Sequence, residues 1–211
     1  MIDKSITKHG GLLALFALIA TGFVTATYTL TKDRIEAQVQ QQRLELLNTV
    51  VPKDYHDNDL TEYCFNVTDD ALGGNQKIYL ATKDNQATAF AIETTATNGY
   101  SGDIDMILGV TLNAEVLGLR VLSHKETPGL GDKIELSVSD WILSFDGKSY
   151  EDGNAALWKV KKDGGQFDQF TGATITPRAV VNTVAQTINW VQDNQSQLLD
   201  RQPNCEEVNN G

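Results

Sequence analysis

"QKIYLATKDNQATAFAIETTA" spans Gln76 to Ala96. Its two halves, QKIYLATK and ATAFAIETTA, alternate around the turn residues Asp84–Gln86, as the arms of an antiparallel hairpin do. The same texture continues downstream. In GYSGDIDMILGVTL, Ile104, Met106, Leu108 and Val110 alternate with Asp103, Asp105, Ile107 and Gly109, which predicts a half-buried strand. EVLGLRVLSH, Glu115–His124, is again apolar and β-branched in alternation. A Gly/Pro loop covers Glu126–Asp132, KIELSVSDWILSF is expected to hold a short helix, and WKVKK a short strand. No internal repeat or low-complexity tract interrupts the pattern. The expected fold class is α+β, a mostly antiparallel sheet with helices packed against it.

The other strong element is a helix from Pro177 to about Gln192. Val180, Val181, Val184, Ile188 and Val191 follow helical spacing and give one apolar face. Thr176 suits the N-cap and Pro177 the first helical position, where no N–H is required. The residues just before it, Thr171-Gly172-Ala173-Thr174, would then lie at the positive end of a helix dipole, with Arg178 nearby. That is an anion site, although taken alone these are also ordinary loop and cap residues. Two further glycine-bearing loops stand out: HKETPGLGDK, His124–Lys133, and NGYSGDI, Asn98–Ile104. Backbone without Cβ at Gly129 and Gly131 allows close approach to a flat ligand.

Upstream, Gly10–Leu30 is 21 residues without a charge, about 31 Å as a helix, which matches a bilayer core. A cleaved signal peptide would have a shorter apolar region ending in A-x-A, which is absent, so an uncleaved anchor is expected. Lys4 and Lys8 precede it and Lys32, Arg34 and Arg43 follow, leaving orientation open by charge. From Lys32 to Val51, apolar Ile35, Val39, Leu44, Leu46, Leu47 and Val51 predict a helix that Pro52 ends. The expected divisions are 1–9 terminus, 10–30 membrane helix, 31–53 membrane-proximal helix or linker, and 54–211 globular domain.

The chain of 211 residues carries 17 Lys+Arg against 28 Asp+Glu, net −11, which excludes a general nucleic-acid binder. Cys64 and Cys205 form no C-x-x-C pair, so a Cys-built zinc or iron–sulfur site is not expected, and no metal is assigned. They would pair in an exported domain and stay as free thiols otherwise. A hydrolase is disfavoured: of the three histidines, 9, 56 and 124, only His124 lies near a rich loop, and no G-x-S-x-G stands at a strand–helix turn.

GYSG, ETPGLGDKIE and WKVKKDGGQFDQFTGATITPRAVVN, with the anchor, the strand region and the late cysteine, resemble the RnfG/RsxG family, the FMN-binding members of Rnf/Rsx electron-transport complexes. More distantly, the chain is similar to the NqrC component of the sodium-pumping NADH:quinone reductase. In the RnfG/RsxG family a flavin transferase joins FMN through its phosphate to the last Thr of D-x-x-[S/T]-G-A-T. Here the pattern reads Asp168-Gln169-Phe170-Thr171-Gly172-Ala173-Thr174 without departure. The resemblance thus implies Thr174 as the covalent acceptor, with Thr171 and Thr176 supporting it. It also implies a phosphate balanced by the helix start with Arg178, Lys161 or Lys162. Glu126, Thr127, Gly129, Leu130 and Lys133 would line the ring or ribityl chain, and Tyr100 and Ser101 the third loop.

The family further implies a single-pass protein of the bacterial inner membrane with its domain in the periplasm, and with residues 1–9 in the cytoplasm. That supports a Cys64–Cys205 bridge. The partners implied are the other members of a six-subunit complex that couples electron transfer between ferredoxin and NAD to ion translocation, or reduces a redox-sensing regulator. The role expected is electron relay, with no independent catalytic activity and no catalytic residue. The alternative is a membrane-anchored flavin-binding sensor or interaction module without relay.

Overall fold

A computed structural model describes residues 2–205, so Met1 and the last six residues of the expected domain lie outside it, as does the side chain of Val39. The chain divides into two compact units, residues 1–43 and Leu44 onward. The first lies in one long helix, α1 (Ile2–Val50), of which His9–Lys32 is long and apolar enough to cross a membrane. Thr27, Thr29 and Thr31 donate their hydroxyls back to main-chain oxygens three or four residues earlier. Their polarity is thereby absorbed within the helix. Pro52, two residues beyond, cannot continue the helical ladder.

In the second unit five strands form one antiparallel meander in chain order: β1 (Cys64–Asp69), β2 (Gly74–Lys83), β3 (Gln86–Ala96), β4 (Ile104–Thr111) and β5 (Val116–Ser123). The hairpin predicted from Gln76–Ala96 is β2–β3. Asp84 and Asn85 both take positive φ, 52° and 60°, the primed turn that matches strand twist. Gln86 already pairs with Lys83, so the loop is two residues rather than three. β1 is an addition to the sequence reading: Asn66 and Thr68 make it too polar to stand out. As an edge strand it is covered by the chain's end, where Asn204 Oδ1 accepts from the Asn66 amide at 2.7 Å. Cys64 and Cys205 are joined as a disulfide with their Cα atoms 5.3 Å apart.

Each face of the sheet carries its own core. Phe65, Ile78, Phe90, Ile92, Met106, Leu108, Val110 and Leu119 face helix α2 (Ile175–Leu199), whose Val180, Val181, Val184, Ile188 and Val191 are all buried. Tyr79, Ala81, Ala89, Ala91 and Ile107 face the last turn of α1, through Leu47 and Val50, and then Val51. β4 is therefore buried on both sides rather than half-buried, because residues 44–51 close the face expected to meet water. The register places Ala91, Gly109 and Gly118 in one row across β3, β4 and β5. An added Cβ at Gly109 would come within 2.6 Å of the Val50 carbonyl carbon, and one at Gly118 within 3.0 Å of Val50 Cα. The glycine row is a trough for the end of α1.

Two short elements differ from expectation. KIELSVSDWILSF is not one helix but two 3-10 turns, Asp132–Ile134 and Asp140–Phe145. Ser139, extended, separates them and accepts from the Trp141 amide at 3.1 Å. WKVKK is not a strand. Val160 makes an isolated bridge to Phe167, and Lys161–Asp163 is a 3-10 turn closed by Gly164 at φ 86°.

Candidate functional site

The stretch before α2 is held from behind by aromatic packing. Phe145 and Phe167 stack with centroids 4.4 Å apart. Trp141 meets Phe145 and Phe170 edge-on at 5.4 and 5.1 Å. Trp141 Nε1 donates to the Asp168 carbonyl at 2.8 Å. Asp168-Gln169-Phe170 thus has its backbone pinned by rings on both sides, an arrangement worth roughly 0.5–1.5 kcal/mol per ring pair beyond area burial. From this base the chain turns once: the Ala173 amide donates to the Phe170 carbonyl at 3.1 Å, with Gly172 at φ 81°. A positive φ at the third position is what a type II turn requires, so glycine is needed there for geometry. Thr171 and Gly172 are exposed, Ala173 and Thr174 half-buried.

The helix starts two residues earlier than its sequence suggests. α2 begins at Ile175, Thr174 is its N-cap residue, and Pro177 stands third, where its missing N–H still costs no helical bond. A capping hydroxyl needs an extended backbone beneath it. Thr174 instead has helical angles, φ −72° and ψ −24°, and its side chain caps nothing. Among the described residues its hydroxyl has no hydrogen-bond partner, while the first free amides of α2 adjoin it.

Thr176, expected as the cap, is fully buried instead. Its Oγ1 donates to Glu126 Oε2 at 2.6 Å, and the Ser101 amide donates to Glu126 Oε1 at 3.0 Å. The three regions singled out from the sequence therefore converge on one carboxylate, only 5% exposed. Glu126 was expected beside the ring; it faces the protein. An added Cβ would lie 2.9 Å from Glu126 Oε1 at Gly99 and 2.6 Å from Oε2 at Gly131. Gly131 admits Glu126 rather than a flat ligand, and Gly99 makes room for the Gly102 carbonyl oxygen as well as for Glu126. Thr127, Gly129 and Leu130 form the exposed rim, where the Leu130 and Gly131 amides donate to the Thr127 carbonyl. Gly129 takes φ 76°.

The outer surface around Thr174 is apolar as well as polar. Ile175 is 45% and Leu130 43% exposed, and Leu130 Cδ2 lies 3.9 Å from where a Gly172 Cβ would stand. Tyr100, next to Ser101, is exposed. Two of the three cations expected to balance a phosphate, Arg178 and Lys161, are already paired. Arg178 donates through Nε and Nη2 to Asp163 at 2.6 and 2.9 Å, and Lys161 pairs with Asp168. The Arg178 hydrogen bonds hold the Asp163 carboxyl below the usual range and push the guanidinium up. Among the described residues Lys133 and Lys162 form no salt bridge, although the charge of Lys162 also acts on Asp163.

His124 is a strut, not a free surface group. Its Nδ1 accepts from the Glu126 amide at 2.9 Å, so Nε2 carries the proton toward Glu135 Oε1, at 2.6 Å. A groove of about 730 Å³ lies elsewhere, between α2 and residues 150–158, lined by Tyr150, Trp158 and Trp190. The residues before α2 suit a phosphate-tethered flavin: an unengaged hydroxyl, a helix start, and an exposed apolar rim at Leu130 and Ile175. Asp163 and the Trp141 cluster escaped the sequence reading; the aromatic residues between Trp141 and Phe170 were the signal for the latter.

Residues 1–50 match the family model described as RnfG N-terminal region, and residues 99–189 match the FMN-binding domain. The second match takes in both glycine loops and the Thr174 turn. A Vibrio vulnificus protein, named as the G component of an ion-translocating oxidoreductase complex, is 54% identical over 204 residues, 96% of this chain and 97% of that one. This chain belongs to the RnfG family. The protein of the same name from Vibrio cholerae is 52% identical over 204 residues, 96% of this chain and 98% of its own, and that from Aliivibrio fischeri 52% over 205, with the same shares. Similarity to these RnfG proteins therefore runs through the anchor and the domain alike. NqrC of Shewanella oneidensis, a solved structure, aligns at TM-score 0.49 with 21% identity, over 69% of this chain and 76% of that one.

Proposed function

We propose that this RnfG-family protein is a membrane-anchored electron relay that carries FMN as a phosphoester on the Thr174 hydroxyl. The observation that carries the reading is Thr174 itself, an N-cap residue whose backbone prevents capping and whose hydroxyl stays unengaged, inside a matched FMN-binding domain. A flavin supplies one- and two-electron chemistry when bound. The chain's part is to hold the tether and leave one side open to a partner. The turn at Gly172 presents Thr174, the aromatic cluster fixes the turn, and Leu130 and Ile175 offer apolar contact. The single phosphodiester charge is favoured by the α2 start. Lys133 and Lys162 are available to it, and Arg178 or Lys161 would have to leave an aspartate to reach it.

The relay works within a six-subunit ion-translocating complex that exchanges electrons between ferredoxin and NAD, or reduces a redox-sensing regulator. His9–Lys32 anchors it in the inner membrane, residues 1–9 lie in the cytoplasm, the domain lies in the periplasm, and a flavin transferase loads it. Family membership and the apolar helix support this placement.

The test is coexpression of the full chain with a flavin transferase. Mass spectrometry is expected to find an FMN-sized increment on the tryptic peptide ending at Arg178. Thr174→Ala should lose all flavin fluorescence in a denaturing gel while keeping its melting temperature. Fluorescence retained by that variant would place the acceptor elsewhere. Copurification with the other membrane proteins of the complex separates a relay from a free-standing sensor module.

A further inference from the structure

Building on the assignment of flavin to Thr174, we propose that Glu126 is the positioning residue of the attachment site. Its buried carboxylate fixes the first turn of α2 to the 98–104 turn and sits against Thr176, two residues along the chain from the point of attachment. Both oxygens are in use: Oε1 takes the Ser101 amide and Oε2 the Thr176 hydroxyl. Among the described residues no Lys or Arg pairs with it. A carboxylate that is 5% exposed and lacks a cation is tolerated only where hydrogen bonds and dipoles satisfy it. Here the donors come from two separate segments, and the amino end of α2 adds its dipole. Neither segment can shift without stranding an oxygen.

The glycines point the same way. Side chains at Gly99 or Gly131 would collide with the Glu126 carboxylate, and at Gly131 also with Thr176 Oγ1 at 3.0 Å. Both loops have closed on this one group. From behind, the Glu126 amide is held by His124, which is held by Glu135. The strut therefore runs from Glu135 to Thr176, and Thr174 follows from where Thr176 is placed. As a carboxylate beside the attachment turn, Glu126 would disfavour the more electron-rich reduced flavin, and so is expected to hold the potential down.

Two substitutions separate the strut from the charge. In Glu126→Gln the amide oxygen still accepts from Ser101 and the NH2 group can donate to Thr176, so the strut survives without its charge. The full chain, loaded by a flavin transferase, is expected to show a midpoint potential shifted positive in a redox titration. Glu126→Ala removes the strut as well. Hydrogen–deuterium exchange on the flavin-free full chain should then accelerate at Ser101 and across 175–178, while Glu126→Gln stays near wild type. A Glu126→Gln flavin that titrates at the wild-type potential overturns the assignment. So does wild-type exchange at Ser101 in Glu126→Ala. Covalent flavin retained by Thr174→Ala would instead remove the attachment reading; the exchange comparison does not depend on that reading and still decides the positioning role.

Discussion

At Thr174 and Thr176 two hydroxyls of one type, two residues apart, have opposite fates. Thr176 is buried and spent on Glu126, whereas Thr174 is half-buried and unspent. The sequence pointed to Thr176 as the cap, but neither hydroxyl caps α2, because capping depends on the backbone angles where the turn meets the helix. A second residue-scale result concerns Arg178. Its two hydrogen bonds to Asp163 hold that carboxyl low, and both side chains remain partly open to solvent, so the pair contributes little to stability. A depressed aspartate pKa stabilises the fold above the ordinary value of about 3.9, and that contribution fades as pH falls through the lower folded value. Carboxyl NMR should therefore find Asp163 titrating below the exposed aspartates. Arg178→Lys, which keeps the charge but loses the bidentate fork, should raise its midpoint. An unmoved midpoint would show that the pair does not form in solution.

Among the elements, the meeting of the end of α1 with the sheet is the clearest case of packing overriding pattern. Alternation in Ile104–Val110 reads as one buried face, yet Ile107 and Gly109 are buried too because Val50 and Val51 lie over them. Gly109 has an ordinary φ, so its role is space rather than conformation. Gly109→Val should destabilise the domain by about 1–3 kcal/mol through overpacking. Urea unfolding measures this, with Leu122→Val, on a 40% exposed residue, as a nearly silent control. A Gly109→Val midpoint equal to wild type would mean that the end of α1 does not sit in the trough. The strands and the long apolar helix were legible because period and length are local properties. The broken 3-10 run from Asp132 to Phe145 was not: its form follows Trp141 and Phe145 into the aromatic cluster, a tertiary contact.

For the whole molecule, the boundary between anchor and domain makes a sharp test. The compact unit begins at Leu44, within residues the sequence assigned to the linker. Leu47, Val50 and Val51 are fully buried in it, each worth about 1.5–3 kcal/mol of burial. A chain starting at Leu44 should express as a folded soluble domain. One starting at Asp54 should unfold at a clearly lower urea concentration, having lost several kcal/mol, a large share of a domain's stability. Equal midpoints would return the boundary to residue 54. By itself the sequence determined the apolar helix, the α+β class and the β2–β3 hairpin, since each is written in residues close together along the chain. Only the tertiary structure decided what the glycines are for, which hydroxyl is free, and that Glu126, Ser101 and Thr176 act as one group. Those facts depend on groups separated by as many as 75 positions, the Ser101 amide and the Thr176 hydroxyl, closing on the same carboxylate.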